Sequence, residues 1–431
     1  MTRRMYDHEG DDPHGELDME QLLEDAAAGD PHAQYAYGRE LWFDAESLVD
    51  YAAAYAWMLR AARKGHGDAW WKLALCADEG EGCDAPDHEL AARLAAIGWR
   101  RTGTAHCCTI AGDALARLGR LEESAAWYRT GAEAGDDDAM CSLGLCHRSG
   151  RGVPRDTREM LRWYVRAARA GSADAMSNLA RCRRAGEGVR RDLLAALRWD
   201  ERAAEEGHEG AAVRLACAHL DGGLLPVNPS LGRAELERLA VEQSSSVAAH
   251  ELGERLLTGD GLPADPEDAV RWLRWAADMG RPAAATTLGV AFFNGGGLAR
   301  DTAQAVALYR WAAEEGDPGA LRNLGLCHRD GDGVEQDPAE ALRLFVEAAL
   351  RGDPIGAVLA AHHHLSGVAG ASPERAVERL WCAAEADDPC ALRLLADLLD
   401  TGRGCVPDAG EAARLRSLAD EIDRDDLAPA P

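Results

Sequence analysis

The sequence predicts an all-α chain, a right-handed solenoid of about eleven antiparallel helical hairpins, on three observations. An alanine that begins an apolar stripe returns at Ala139, Ala175, Ala211, Ala248, Ala284 and Ala320, in steps of 36, 36, 37, 36 and 36 residues. Glycine pairs recur at the same pitch between these stripes. A second apolar frame, a large residue followed by Ala-Ala and a glycine, alternates with the first. Units that cannot bury their own apolar face do so by stacking on neighbours, so a length of 431 residues sets no domain count.

The first helix of each unit, helix A, carries a leucine four residues after the alanine: Leu143, Leu179, Leu215, Leu252, Leu288 and Leu324. The next residue is small, Gly144, Ala180, Ala216, Gly253, Gly289 or Gly325. A spacing of four puts alanine and leucine on one face, and the small residue lets another helix approach. Helix A then ends in a loop such as Gly150-Arg151-Gly152-Val153, Gly186-Glu187-Gly188-Val189 or Gly331-Asp332-Gly333-Val334. Glycine supplies the left-handed backbone of a tight reversal.

An aspartate follows at Asp156, Asp192, Asp265, Asp301 and Asp337, where its carboxylate is placed to cap helix B. Glu159, Gln304 and Glu340 stand at capping-box spacing, and Pro266 and Pro338 at the first helical position. Helix B reads Trp163, Ala167-Ala168, Gly171, then Trp199, Ala203-Ala204, Gly207, and so on to Leu344, Ala348-Ala349, Gly352. Asp317-Pro318 and Asp353-Pro354 then cap the next helix A. The slot shared by Trp127, Trp163, Trp199 and Trp272 reads as repeat core, so Trp163→Ala is expected to cost about 3–5 kcal/mol.

This combination of Ala-x-x-x-Leu-Gly, Gly-x-Gly-Val, an Asp cap, Trp and Ala-Ala-x-x-Gly-Asp resembles the Sel1-like repeat family of the tetratricopeptide-repeat-like superfamily. The resemblance extends over roughly residues 20–422. It implies a solenoid at 16–422, flanked by disordered segments at 1–15 and 423–431. Two units depart from the pattern. Near 105–136, Leu118-Gly119-Arg120-Leu121 replaces the glycine loop; near 222–246, Gly222-Gly223-Leu224-Leu225-Pro226 serves as the loop and Gln243-Ser244-Ser245-Ser246 stands where Ala-Ala-x-x-Gly-Asp would continue into the next helix, marking a hinge. Gly367-Val368-Ala369-Gly370 keeps a loop, and a charged helix at about Asp408–Ile422 suits a polar terminal cap.

The resemblance implies a non-catalytic scaffold or adaptor that takes a protein or peptide on the concave face lined by helix A. Positions two and five after the leucine are expected to line it: Leu145 and Arg148, Arg181 and Arg184, Val290 and Phe293, Leu326 and Arg329, with Arg322 two before its leucine. Arginines beside apolar residues suit a partner carrying carboxylates and apolar anchors. The same arginines can instead pair with neighbouring acids and hold the stack. Both readings stand at this stage.

Other classes fare worse. A formal net charge of -27 repels phosphate backbones and anionic lipid heads, which speaks against the RNA-binding alternative that pentatricopeptide-like length would allow, and against a membrane surface. A hydrolase or ligand-binding activity, proposed for some cysteine-rich Sel1-like proteins, needs a nucleophile–base pair that the sequence does not offer. His88-Glu89, His208-Glu209 and His250-Glu251 lack a second histidine four residues after the first, and His362-His363-His364 splay around a helix. Cys76, Cys146, Cys182 and Cys327 occupy one slot three after the leucine and read as small buried hydrophobes. Cys141, Cys146 and His147 lack a fourth metal ligand. No cofactor or metal is expected. With two N-terminal arginines but no apolar stretch behind them, the expected location is cytoplasmic.

Overall fold

Local signals decide where each helix begins and ends. Gly150, at φ 74°, closes helix Asp137–Ser149 by donating its N–H to Cys146 O, and Asp156 opens helix Thr157–Ala170 by accepting from the N–H groups of Arg158 and Glu159. Asp192, Asp265, Asp301 and Asp337 cap their helices in the same way. The second glycine of each loop has a further duty. At Gly333, also left-handed, an added Cβ would lie 2.8 Å from Thr302 O at the start of the preceding helix B. Only glycine allows the loop both that backbone and that closeness.

The computed structural model describes residues 19–427 apart from 46, 83–84, 224, 367–371 and 385–387. The expected loop at 367–370 and the segment 1–15 lie outside the described residues, as does Leu224. Among the described residues there are 23 helices and no strand. After the opening helix Met19–Ala28, they follow one another in the order of eleven helix pairs, and within each of two compact units successive helices pack on one another as in a solenoid. The chain divides into two compact units, one ending at Leu215 and the other beginning at Ala216, within helix Glu209–Asp221.

Both departures from the repeat take the form that their residues dictate. Helices His106–Arg117 and Leu121–Ala134 are joined by Leu118, Gly119 and Arg120 alone, without the glycine loop or an Asp cap. Between Pro229–Glu242 and Ser246–Thr258, the segment marked as a hinge is a closed turn. Ser244 takes a left-handed φ of 52°, Ser245 N–H donates to Leu239 O, and the buried Ser245 side chain caps the next helix by accepting from Ala248 N–H. The last helix runs Ala409–Leu427, five residues into the expected disordered tail.

The core slot on helix B is not the tryptophan. Trp163 and Trp199 are half-buried, and Arg166 and Arg202 cover their rings at 5.3 and 4.7 Å from the centroids. The fully buried residue is the next one along, about 100° further round the helix: Tyr128, Tyr164, Leu273, Tyr309 and Phe345. Each packs against the small residue of helix A, namely Gly112, Gly144, Gly253, Gly289 and Gly325. A half-buried Trp163 removes less area from water than a core residue, so its replacement costs less than the full core penalty.

One hairpin breaks this rule chemically. Ala180 replaces the glycine and Asp200, 2 % exposed, replaces the aromatic ring. Its carboxylate accepts from Arg184 of helix Ala173–Ala185 and from Arg214 of helix Glu209–Asp221, at 2.6 Å for Arg214 Nη2. Arg214 also donates to Ser177 at 2.8 Å. A buried carboxylate is tolerable here because both of its oxygens are met by guanidinium groups.

Candidate functional site

Helix A of the first unit presents Leu145, an exposed large hydrophobe at 42 %, next to the half-buried Arg148. Both line a cavity of about 690 Å³ between successive hairpins, together with Asp113, Tyr128, Cys146, Arg151, Arg155 and Glu187. Tyr128 donates its hydroxyl to Asp113 at 2.6 Å, and burial pushes the Asp113 carboxyl up from its ordinary value. The wall is therefore apolar and basic on one side and weakly acidic on the other.

The expected arginines do two kinds of work. Arg148 Nε lies 2.9 Å from both carboxylate oxygens of Glu187, which belongs to the glycine loop one hairpin further on. This contact holds the Arg148 guanidinium above its usual value. Arg184 is engaged with Asp200, and Arg322 donates to Asp353 at 2.8 Å, the residue that caps the next helix A. Thr286, in the same slot as Arg322, reaches Asp317 in the same way. Arg148, Thr286 and Arg322 thus stitch one hairpin to the next, while Arg184 pairs within its own. Arg181 donates to Asn178 at 2.7 Å on its own helix, and Arg329 to the adjacent Asp330 at 2.7 Å.

Val290 is exposed, and Leu326 is half-buried against the cluster around Phe345. Phe293 is half-buried with the Arg300 guanidinium 5.5 Å from its ring centroid. The structure brings Leu145 and Arg148 into one cavity and leaves the other expected residues in separate contacts.

Sequence reasoning missed Arg151 and Arg155. Both are exposed at the cavity, and neither has an acidic partner at ion-pair distance among the described residues. For Arg151 a signal was present in the loops, since the equivalent position elsewhere holds Glu187, Asp260, Gly296 or Asp332; Arg155 has arginine counterparts in Arg191 and Arg300 and carried none.

The cysteine slot follows its expected chemistry. Cys76, Cys182 and Cys327 are buried and Cys146 half-buried. Burial pushes the Cys327 thiol up to about 11 and the Cys141 thiol to about 12, which leaves both protonated and poorly nucleophilic at neutral pH. His250 hydrogen-bonds to Thr287 at 2.9 Å, and His88 lies 2.8 Å from Asp78. Among the described residues no helix is long and apolar enough to cross a membrane.

The model of the Sel1 repeat matches residues 31–66, 137–172, 173–208, 210–234, 246–280, 282–317 and 318–353, more than half of the chain. The irregular unit near 105–136 falls outside the match. Among solved structures, a protective antigen present in uropathogenic Escherichia coli strains and displaying an SLR fold is 25% identical, covering 94% of this chain and 91% of its own, with a TM-score of 0.45. A Sel1 repeat protein from Oxalobacter formigenes is 24% identical, covering 79% and 89%, with a TM-score of 0.42. Yeast Tom70 is 12% identical, covering 94% and 98%, with a TM-score of 0.42. No curated protein matches the sequence.

Proposed function

Because the chain belongs to the Sel1 repeat family, whose fold generally serves protein interaction, we propose that it is a non-catalytic scaffold that holds a peptide or protein segment on the helix A face. The cavity of the first unit is the part of that face best equipped to do so. The observation that carries this reading is the juxtaposition of exposed Leu145 with Arg151 and Arg155, cations without an acidic partner at ion-pair distance among the described residues, in a chain of net charge -27. A segment with a carboxylate one or two residues from an apolar side chain fits both features. Recognition by Arg148 and Arg181 themselves is no longer part of the reading, because changing either also disturbs contacts within the stack.

The test is fluorescence-anisotropy binding of a peptide panel in which Glu-Leu, Lys-Leu and Glu-Ser pairs are placed in an otherwise neutral host. Glu-Leu peptides are expected to bind tightest. The double charge reversal Arg151→Glu with Arg155→Glu abolishes that preference, whereas Arg329→Glu, in the other unit, leaves it intact. Equal binding of the three peptides, or an unchanged preference in the double variant, rejects the proposed face.

A further inference from the structure

At the junction between helices Leu121–Ala134 and Asp137–Ser149 an expected cap is missing. Asp136 occupies the N-cap position of Asp137–Ser149, as Ser172, Ser245, Asp317, Asp353 and Asp388 do in theirs. All five of those residues accept a backbone N–H from the first turn of their helix, and Asp136 does not. Its side chain is fully buried and turned toward the preceding hairpin, where Oδ2 accepts the Thr109 hydroxyl. Oδ1 lies 3.0 Å from His106 Nδ1, yet it receives no hydrogen in bonding geometry. The buried carboxylate thus faces His106 and Thr109 in place of the helix cap open to it.

Asp138 stands one step further along the same helix, and one ligand atom from each of His106, Asp136 and Asp138 lies within 4.8 Å of the others. The geometry points to a divalent-cation site formed by His106, Asp136 and Asp138, best suited to zinc, that clamps two successive hairpins. One imidazole nitrogen and two carboxylate oxygens make a set that zinc accepts in tetrahedral coordination with water as the fourth ligand, whereas calcium and magnesium favour all-oxygen sets. Bonds of about 2.0–2.1 Å place tetrahedral ligands about 3.3 Å apart. The His106–Asp136 separation already matches one edge, and a small rotation of half-buried Asp138 closes the others.

The experiment uses the full chain, stripped with a chelator and titrated with zinc chloride, alongside three variants. Asp136→Ser installs the side chain that caps the helices after Ser172 and Ser245, so it removes a ligand while restoring the cap. His106→Gln and Asp138→Asn remove the others. Wild type is expected to retain one zinc per chain more than any variant after gel filtration. Loss of a direct ligand weakens binding by more than about tenfold, given that removing even a supporting residue has about that effect. Cobalt substitution gives tetrahedral visible absorption without thiolate charge transfer, and zinc raises the melting temperature of wild type but not of Asp136→Ser. Equal zinc content in wild type and all three variants overturns the site, as does a thiolate-type cobalt spectrum that persists in Asp136→Ser.

Discussion

Replacing Gly144 by alanine tests the packing rule of the repeat at one of its close contacts. A Cβ at this position would lie 2.5 Å from Tyr164 Cε1 and 2.7 Å from Cδ1, where ordinary contact needs 3.4–4 Å. Tyr164 is 0 % exposed, so its ring has to move by about an ångström inside a packed core, and overpacking of this kind costs about 1–3 kcal/mol. Alanine returns about 1 kcal/mol as the better helix former. The net expectation is a loss of up to about 2 kcal/mol. Gly296→Ala is the control, because a Cβ there meets nothing within 4 Å and the backbone is not left-handed. Urea unfolding followed by helical circular dichroism, fitted with a repeat-coupling model rather than as two states, gives both values. If Gly144→Ala is as stable as Gly296→Ala, the glycine is not there to admit the ring and the packing rule is wrong.

Two further predictions follow from individual side chains. The Tyr164 hydroxyl is buried without a hydrogen-bond partner, and a phenylalanine, Phe345, fills the equivalent slot elsewhere, so Tyr164→Phe should be neutral or stabilising by up to about 1 kcal/mol. Tyr128→Phe, which strips the donor from Asp113, should instead destabilise by about 1–2 kcal/mol; denaturation midpoints that rank the two variants the other way refute the assignment. His250 accepts from Arg281 Nε on Nδ1 at 3.1 Å, so it is neutral, and burial followed by the Arg281 charge holds its pKa down to about 4 from 6.5. A histidine with a depressed folded value contributes stability that is complete above about 6.5 and is lost as pH falls toward 4. Partial solvation of the ring limits the linked loss to about 1–3 kcal/mol. His250→Gln should flatten the stability–pH curve over that window, and parallel curves for wild type and variant would exclude the linkage.

What was legible in the sequence was whatever depends on neighbours within one unit. Gly150, Asp156 and Gly171 each act on backbone groups a few residues away, so the helix boundaries could be read from spacing alone. The core slot was misplaced by one residue because tryptophan repeats conspicuously, while the true occupants alternate among tyrosine, leucine and phenylalanine, and only burial reveals them as one class. Partner choice was least legible. Glu187 is 39 residues from Arg148, and in a chain with 74 acidic residues nothing in the spacing singles it out. The segment at 243–246 shows the same limit, since a serine in the left-handed region looks like a break in the pattern until Ser245 is seen to cap the next helix.

The Asp200 cluster bears on how the chain avoids assembling wrongly. Hairpins of one length and nearly one sequence offer each other interchangeable surfaces, so during synthesis or refolding a unit can dock on a neighbour once removed. An aromatic ring over glycine carries little identity, because four units share it. A sequestered carboxylate that needs one guanidinium from its own hairpin and another from the next cannot be satisfied by the wrong companion, and leaving it unsatisfied costs about 3–5 kcal/mol. This junction thus works as an address within an otherwise repetitive polymer.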